Sequence, residues 1–203
     1  MKIICIGRNY VDHAKELNNE TPSEPVVFLK PDSAILPKGN AFYIPSFTNE
    51  VHHEVELVVR INRLGKHIEP RFAHRYYDEV TLGIDFTARD VQKACKEKGL
   101  PWEKAKAFDG SAVIGPFISL KEAGEIDNLD LKLYKNDELV QHGNTRDMLF
   151  HVDQLIAHVS QYMTLKIGDL LFTGTPAGVS KVNIGDRLVG QLNDRQLFKT
   201  DIR

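Results

Sequence analysis

The sequence predicts an α+β fold, rich in strand and built on mixed or antiparallel sheet. Three observations carry that prediction. Strand-like runs outnumber helical ones; they do not alternate regularly with helices, which disfavours a wound βαβ sheet; and no linker, low-complexity run or charge block divides the chain. Residues 1–203 therefore read as one domain. With 203 residues, 42% of them hydrophobic, the chain can bury a sizeable core without disulfides or a structural metal.

The elements follow in order. "KIICIG" reads as a short buried strand closed by Gly7, and "NYVDHAKELN" as an amphipathic helix with Tyr10, Ala14 and Leu17 at helical spacing. Pro22, Pro25, Pro31 and Pro37 then punctuate extended pieces such as "VVFLK". "NEVHHEVELVVRIN" reads as a half-buried strand, and "VTLGIDFT" as a second, joined by a polar link that has room for a short helix. Thr87 with Asp90 three places on gives the capping-box spacing of a helix start, and Gly99 with Pro101 ends that helix. "SAVIGPFIS" alternates like a strand, and "LDLKLYKNDELVQHG" like a hairpin turning at "KNDE". The periodicity then predicts a long helix starting near Thr145, and "IGDLLF" and "IGDRLV" each predict a Gly-Asp turn entering a strand.

Composition narrows the function. Lys and Arg number 26 against 28 for Asp and Glu, a balance that argues against nucleic-acid binding. No run is long enough to span a membrane, and Cys5 and Cys95 show neither metal-ligand spacing nor a disulfide pattern. A soluble, reduced, cytoplasmic protein is the expectation. "GTPAGVSK" lacks the spacing of a phosphate-binding P-loop.

Three short stretches carry candidate chemistry. Glu54 and Glu56, two apart on a strand, point to the same side, while Val55, Leu57 and Val59 point to the other. Two such acids repel and perturb each other unless a cation lies between them, although a merely wet sheet face would also hold them. Asp85 sits between Ile84 and Phe86 in an apolar run, where a charge needs a partner. Together the three acids form an all-oxygen set suited to Mg²⁺ first, then Ca²⁺ or Mn²⁺. Arg89 and Gln92 follow, three apart on one helix face. His13 and Glu16 are likewise three apart, an imidazole that a carboxylate can orient as a base, or two solvated side chains.

"GRNYVDHAKE", "VFLKPDSAI", "HHEVELVV", "GIDFTARDVQ", "KAFDGSAVIGP" and "DLLFTGTPAGV" occur in one order from residue 6 to about 179. Together they resemble the fumarylacetoacetate hydrolase family, in its acylpyruvate hydrolase and oxaloacetate decarboxylase branch. The resemblance implies a β-rich roll or barrel of mixed sheet with short flanking helices, acting as a homodimer. It implies a divalent cation, Mg²⁺ or Mn²⁺, held by Glu54, Glu56 and Asp85, with His13 and Glu16 as the base dyad. Lys106, Arg89 and Gln92 would contact a small 2-oxo acid, and Thr175 of "TGTP" would lie near its carboxylate. The chain departs from the family pattern at "GVSKV", where many relatives read G-V-G-P, which bears on substrate choice.

The implied activity is metal-dependent hydrolysis of the carbon–carbon bond in acylpyruvates, decarboxylation of oxaloacetate, or both. An isomerase, hydratase or oxaloacetate tautomerase of 2-oxo-dioates is the alternative enzyme, and a non-catalytic metal-binding protein the alternative outside enzymology. The intact H-x-x-E and Lys106 count against the last.

Overall fold

A computed structural model describes residues 1–16 and 20–203 of the chain. The opening strand β1 (Ile3–Gly7) leads into the short helix α1 (Val11–Glu16); Leu17 of the predicted helix lies outside the described residues. The "VVFLK" run forms β2 (Val26–Lys30). "NEVHHEVELVVRIN" forms two strands rather than one, β3 (Val51–His53) and β4 (Val55–Ile61), with the break at Glu54. Helix α2 (Pro70–Ala73) fills the polar link before β5 (Tyr77–Asp85), which is followed by β6 (Thr87–Ala88) and helix α3 (Arg89–Glu97).

Helix α4 (Glu103–Lys106) precedes β7 (Ala112–Ile114) and β8 (Ile118–Ser119), two strands where the pattern predicted one, and then helix α5 (Leu120–Ala123). Strands β9 (Asp130–Lys135) and β10 (Glu138–Asn144) form the predicted hairpin. Its Asn136 and Asp137 both take positive φ, 53° and 68°, the backbone a tight two-residue turn requires. Helix α6 (Val152–Tyr162), β11 (Leu170–Phe172), β12 (Ser180–Lys181), β13 (Arg187–Leu192) and β14 (Arg195–Asp201) complete the chain.

Three sheets result. The largest runs β2-β1-β11-β4-β5-β7, with β8 also on β5; the others run β10-β9-β13-β14 and β12-β3-β6. Strands β1 and β11 are parallel, and the remaining pairs of named strands are antiparallel. The α+β, strand-rich reading holds, and among the described residues no sheet closes into a barrel.

Two sequence expectations fail for long-range reasons. Thr87 does not cap α3: it lies in β6, paired with His52, and its hydroxyl accepts from the Lys106 ammonium at 2.6 Å. The long helix starts at Val152, not at Thr145. Thr145 opens a single 3₁₀ turn, and the Leu149 and Phe150 N–H groups donate to Asn9, which holds the intervening chain extended beside the start of α1.

Strand β4 is buried on both faces, not one. Leu57 and Val59 join the main core with Leu82 and Ile84, while Val58 packs into a second cluster with Ile3, Cys5 and Phe172. Glu56 shares the Val58 side of the strand, so its carboxylate lies inside the protein and not on a wet face.

Candidate active site

The break at Glu54 turns β3 away into another sheet and leaves Glu54 and Glu56 at the end of β4. The Asp85 N–H donates to the Glu54 carbonyl at 2.9 Å, which fixes the end of β5 beside them. Glu54, Glu56 and Asp85 are all buried, and each offers an oxygen within 4.8 Å of the others. Burial of three acids at that spacing costs several kcal/mol unless cations compensate.

Compensation comes from three side chains. The Lys106 ammonium donates to Glu54 Oε2 at 2.7 Å, Asp85 Oδ2 at 2.6 Å and the Thr87 hydroxyl. Arg89 donates to Glu54 Oε1 at 2.5 Å and to Gln92 Oε1 at 2.7 Å, so Arg89 and Gln92 face the site together. Behind Asp85, the fully buried Lys30 lies 2.7 Å from Oδ1. That contact is an ion pair without a well-directed hydrogen bond, since Asp85 Oδ1 has no hydrogen-bond partner among the described residues. Lys30 is fixed instead by the Lys106 carbonyl and, at 2.9 Å, by the Ser111 hydroxyl.

These contacts separate the acids. Burial would raise the Glu54 carboxyl, but Lys106 and Arg89 hold it well below the usual carboxylate range. For Glu56, burial and then the charges of Asp85 and Glu54 push it well above that range. Among the described residues, its one direct hydrogen bond comes from the Gly174 N–H at 2.7 Å. Gly174 has φ +96°, and a Cβ there would lie 2.7 Å from Asn9 Cβ, so the close approach of this N–H requires glycine. Burial would lower Lys106, but Asp85 and Glu54 raise it.

On the opposite wall, His13 Nδ1 lies 3.4 Å from Glu16 Oε2. The Glu16 carboxylate also accepts the Gly178 N–H at 3.1 and 3.2 Å. Burial lowers the His13 pKa more than Glu54 and Glu16 raise it, so the imidazole is neutral near pH 7. His13, Arg89, Gln92, Lys106 and Thr175 line one pocket with the three acids.

Eight of the nine residues singled out in the sequence thus line one pocket, and the ninth, Glu16, adjoins it through His13. Thr175 arrives with its hydroxyl already engaged: it donates to the Val55 carbonyl at 2.8 Å and accepts from Gln141 Nε2 at 2.9 Å. Gln141 was not found from the sequence. Its Oε1 receives His53 Nδ1 and the Val55 N–H, so this buried amide ties β10 to the break between β3 and β4. Lys30 also escaped notice, although a lysine ending the apolar run "VVFLK" was a visible signal. His53 is fully buried, while His52 is half-buried between Glu50 and Arg89.

The donor set fits a divalent cation. It is all oxygen, three acids converge, and one Asp85 oxygen lacks a directed hydrogen bond. Acids at the floor, a neutral histidine on one wall and cationic side chains around them make up an enzyme-type site. The family is settled by comparison. Residues 2–200 match the model of the fumarylacetoacetate (FAA) hydrolase C-terminal domain. The chain belongs to the fumarylacetoacetate hydrolase family.

Among its relatives is the mitochondrial oxaloacetate tautomerase FAHD1 of Bos taurus, 42% identical over 186 residues, 92% of this chain and 84% of that protein. Another is the mitochondrial oxaloacetate decarboxylase of Dictyostelium discoideum, 43% identical over 185 residues, 91% of this chain and 85% of the relative. The crystal structure of fumarylpyruvate hydrolase from Pseudomonas aeruginosa, in complex with Mn²⁺ and pyruvate, superposes with a TM-score of 0.93 at 33% identity, covering 100% of this chain and 89% of that one.

Proposed function

We propose that this protein is a divalent-cation-dependent enzyme of small 2-oxo acids, cleaving the carbon–carbon bond of acylpyruvates or decarboxylating oxaloacetate. The convergence of Glu54, Glu56 and Asp85 beneath the His13–Glu16 pair carries the reading. Those three acids hold the cation, Mg²⁺ by the hardness of the donors, with Mn²⁺ as the ion named for the Pseudomonas relative. When bound, the cation supplies a Lewis acid toward the oxygens of a 2-oxo acid.

The chain's own residues do the rest. Glu16, held by the Gly178 N–H, orients His13, and the neutral imidazole takes a proton from water. The resulting hydroxide attacks the distal carbonyl of an acylpyruvate; the bond between that carbon and the next breaks, leaving a carboxylic acid and the enolate of pyruvate. The Lys106 ammonium stabilises the enolate charge, and Arg89 and Gln92 fix the substrate. Thr175 lies near the substrate carboxylate, with its hydroxyl proton held by the Val55 carbonyl.

Tautomerisation of oxaloacetate is the second reading, favoured by the name of the Bos taurus relative. It needs the same proton transfer without attack by water. We further propose that residues 1–203 act as one catalytic domain in a homodimer, in the cytoplasm, although these two eukaryotic relatives are mitochondrial by name.

A product assay tests the reading. Acetylpyruvate should yield acetate and pyruvate, or oxaloacetate should yield pyruvate and CO₂, with Mg²⁺ and not with chelator. Enol-to-keto conversion of oxaloacetate without either product selects the tautomerase. Full turnover in chelator rejects the cation.

A further inference from the structure

We infer that Arg8 is a substrate-specificity residue, receiving the second carboxylate of a dicarboxylic 2-oxo acid. This rests on the function proposed above and names the substrate class of that site.

The first observation is an unmatched N–H on Arg8. Glu54 is paired with Arg89 and Lys106, and Asp85 with Lys30 and Lys106. Arg8 lines the same pocket, yet its buried Nε has no hydrogen-bond partner, and no ion pair reaches it among the described residues. An arginine N–H buried without an acceptor is costly, and a carboxylate is the acceptor its planar fork fits best.

The second observation is the backbone. Arg8 has φ 60°, the left-handed region that non-glycine residues avoid. The strain is imposed by its neighbour. Asn9 is fully buried; its Nδ2 donates to the Phe150 carbonyl at 3.0 Å and the Thr173 carbonyl at 2.8 Å, and its Oδ1 accepts the Phe150 N–H. That clamp fixes the turn leaving β1 and presents the Arg8 side chain to the pocket. Glycine would meet the backbone requirement without strain, so the arginine at this position serves its side chain.

The third is the charge around it. Lys96 lines the same wall, 5.5 Å above the Trp102 ring, and its pKa falls to about 8, first through burial and then through the nearby Arg8 and Arg89. The guanidinium groups of Arg8 and Arg89 line this same pocket, a setting that suits an anionic substrate group. Oxaloacetate carries a second carboxylate to place there, whereas acetylpyruvate ends in a methyl group.

The test compares two unreactive ligands that differ only in that group. L-Malate and L-lactate are the 2-hydroxy forms of oxaloacetate and pyruvate, and calorimetry on the Mn²⁺-loaded protein gives their affinities. The wild type should bind malate at least tenfold more tightly than lactate. Arg8→Gly should bring the two within about threefold, while its melting temperature stays at or above the wild-type value, because the backbone strain is gone. Arg8→Lys should keep part of the preference. In turnover, the ratio of kcat/KM for oxaloacetate to that for acetylpyruvate should fall about 10- to 100-fold in Arg8→Gly.

Equal affinities in the wild type, no measurable malate binding, or a preference that survives Arg8→Gly overturns the inference. A fall in melting temperature with both ligands equally weakened makes Arg8 structural and does the same. Failure of the underlying function looks different: no 2-oxo acid is turned over, and chelator changes nothing.

Discussion

Replacing Lys106 by methionine tests how the acids are held. The wild-type ammonium is buried and places its three N–H groups on Glu54 Oε2, Asp85 Oδ2 and the Thr87 hydroxyl, at 2.7, 2.6 and 2.6 Å. Methionine matches the length of the stem and removes the charge. Glu54 then keeps Arg89, and Asp85 keeps Lys30, but both lose their shared partner. Breaking a buried ion pair from one side costs about 3–5 kcal/mol, and the two surviving partners place this case at about 3. For a chain of this size, 1 kcal/mol moves the melting temperature by about 2–4 °C, so Lys106→Met should melt about 6–12 °C lower in chelator. Saturating Mn²⁺ should restore most of that loss, because a divalent ion supplies the charge the lysine gave. The cation-induced rise should therefore be larger in the variant than in the wild type. Melting curves with EDTA and with Mn²⁺ measure both. Equal melting in EDTA, or the same rise in both proteins, refutes the reasoning.

Three further outcomes follow from the same contacts. Burial pushes the His53 pKa from 6.5 down to about 4, so the unfolded chain takes up a proton that the folded one refuses between those values. His53 therefore contributes stability that is present above pH 6.5 and is lost as pH falls toward 4, about 3 kcal/mol in all; urea unfolding should show the wild type losing more than His53→Gln over that window, and parallel curves would contradict it. Glu16→Gln should cut acetylpyruvate hydrolysis about 100-fold or more and leave Mn²⁺ affinity within twofold, since Glu16 is outside the acid trio; matching losses in a titration and a rate assay would make its role structural. Gly178 has φ +100°, and a Cβ there would lie 2.2 Å from the Val140 carbonyl, so Gly178→Ala should displace the N–H that holds Glu16. Hydrolysis should fall with cation binding retained, and a wild-type rate would show that Glu16 does not depend on this loop.

What was legible in the sequence was local. The alternation of β4 and the helical spacing of α1 and α3 are short-range patterns, and they located the acid pair, His13 with Glu16, and Arg89 with Gln92. What was hidden depends on partners far along the chain. Lys30 is defined by Ser111 and the carbonyl of Lys106, Gln141 by His53 and Thr175, and the late start of α6 by Asn9. Thr87 shows the same limit from the other side: its spacing to Asp90 fits a cap, but pairing with β3 and the Lys106 ammonium claim it instead. A residue with two available roles takes the one whose partner is buried with it.

The way the acids are neutralised separates a catalytic cation site from a structural one. A protein that relies on a metal to fold presents ligands with nothing else to pair with, so binding energy becomes folding energy. Here Glu54 and Asp85 are satisfied by Lys106, Arg89 and Lys30, and Glu56, pushed toward its neutral form, accepts the Gly174 N–H. Each acid has a resident partner, so a cation entering between them competes with the Lys106 ammonium. That competition weakens binding by the ion pairs that must be exchanged. It also couples the position of Lys106 to occupancy of the site, because the lysine cannot keep both carboxylates once they turn to another charge. A fold that needed only a rivet would gain nothing from such a lysine, whereas the reaction proposed above, which forms an enolate beside that ammonium, would use it.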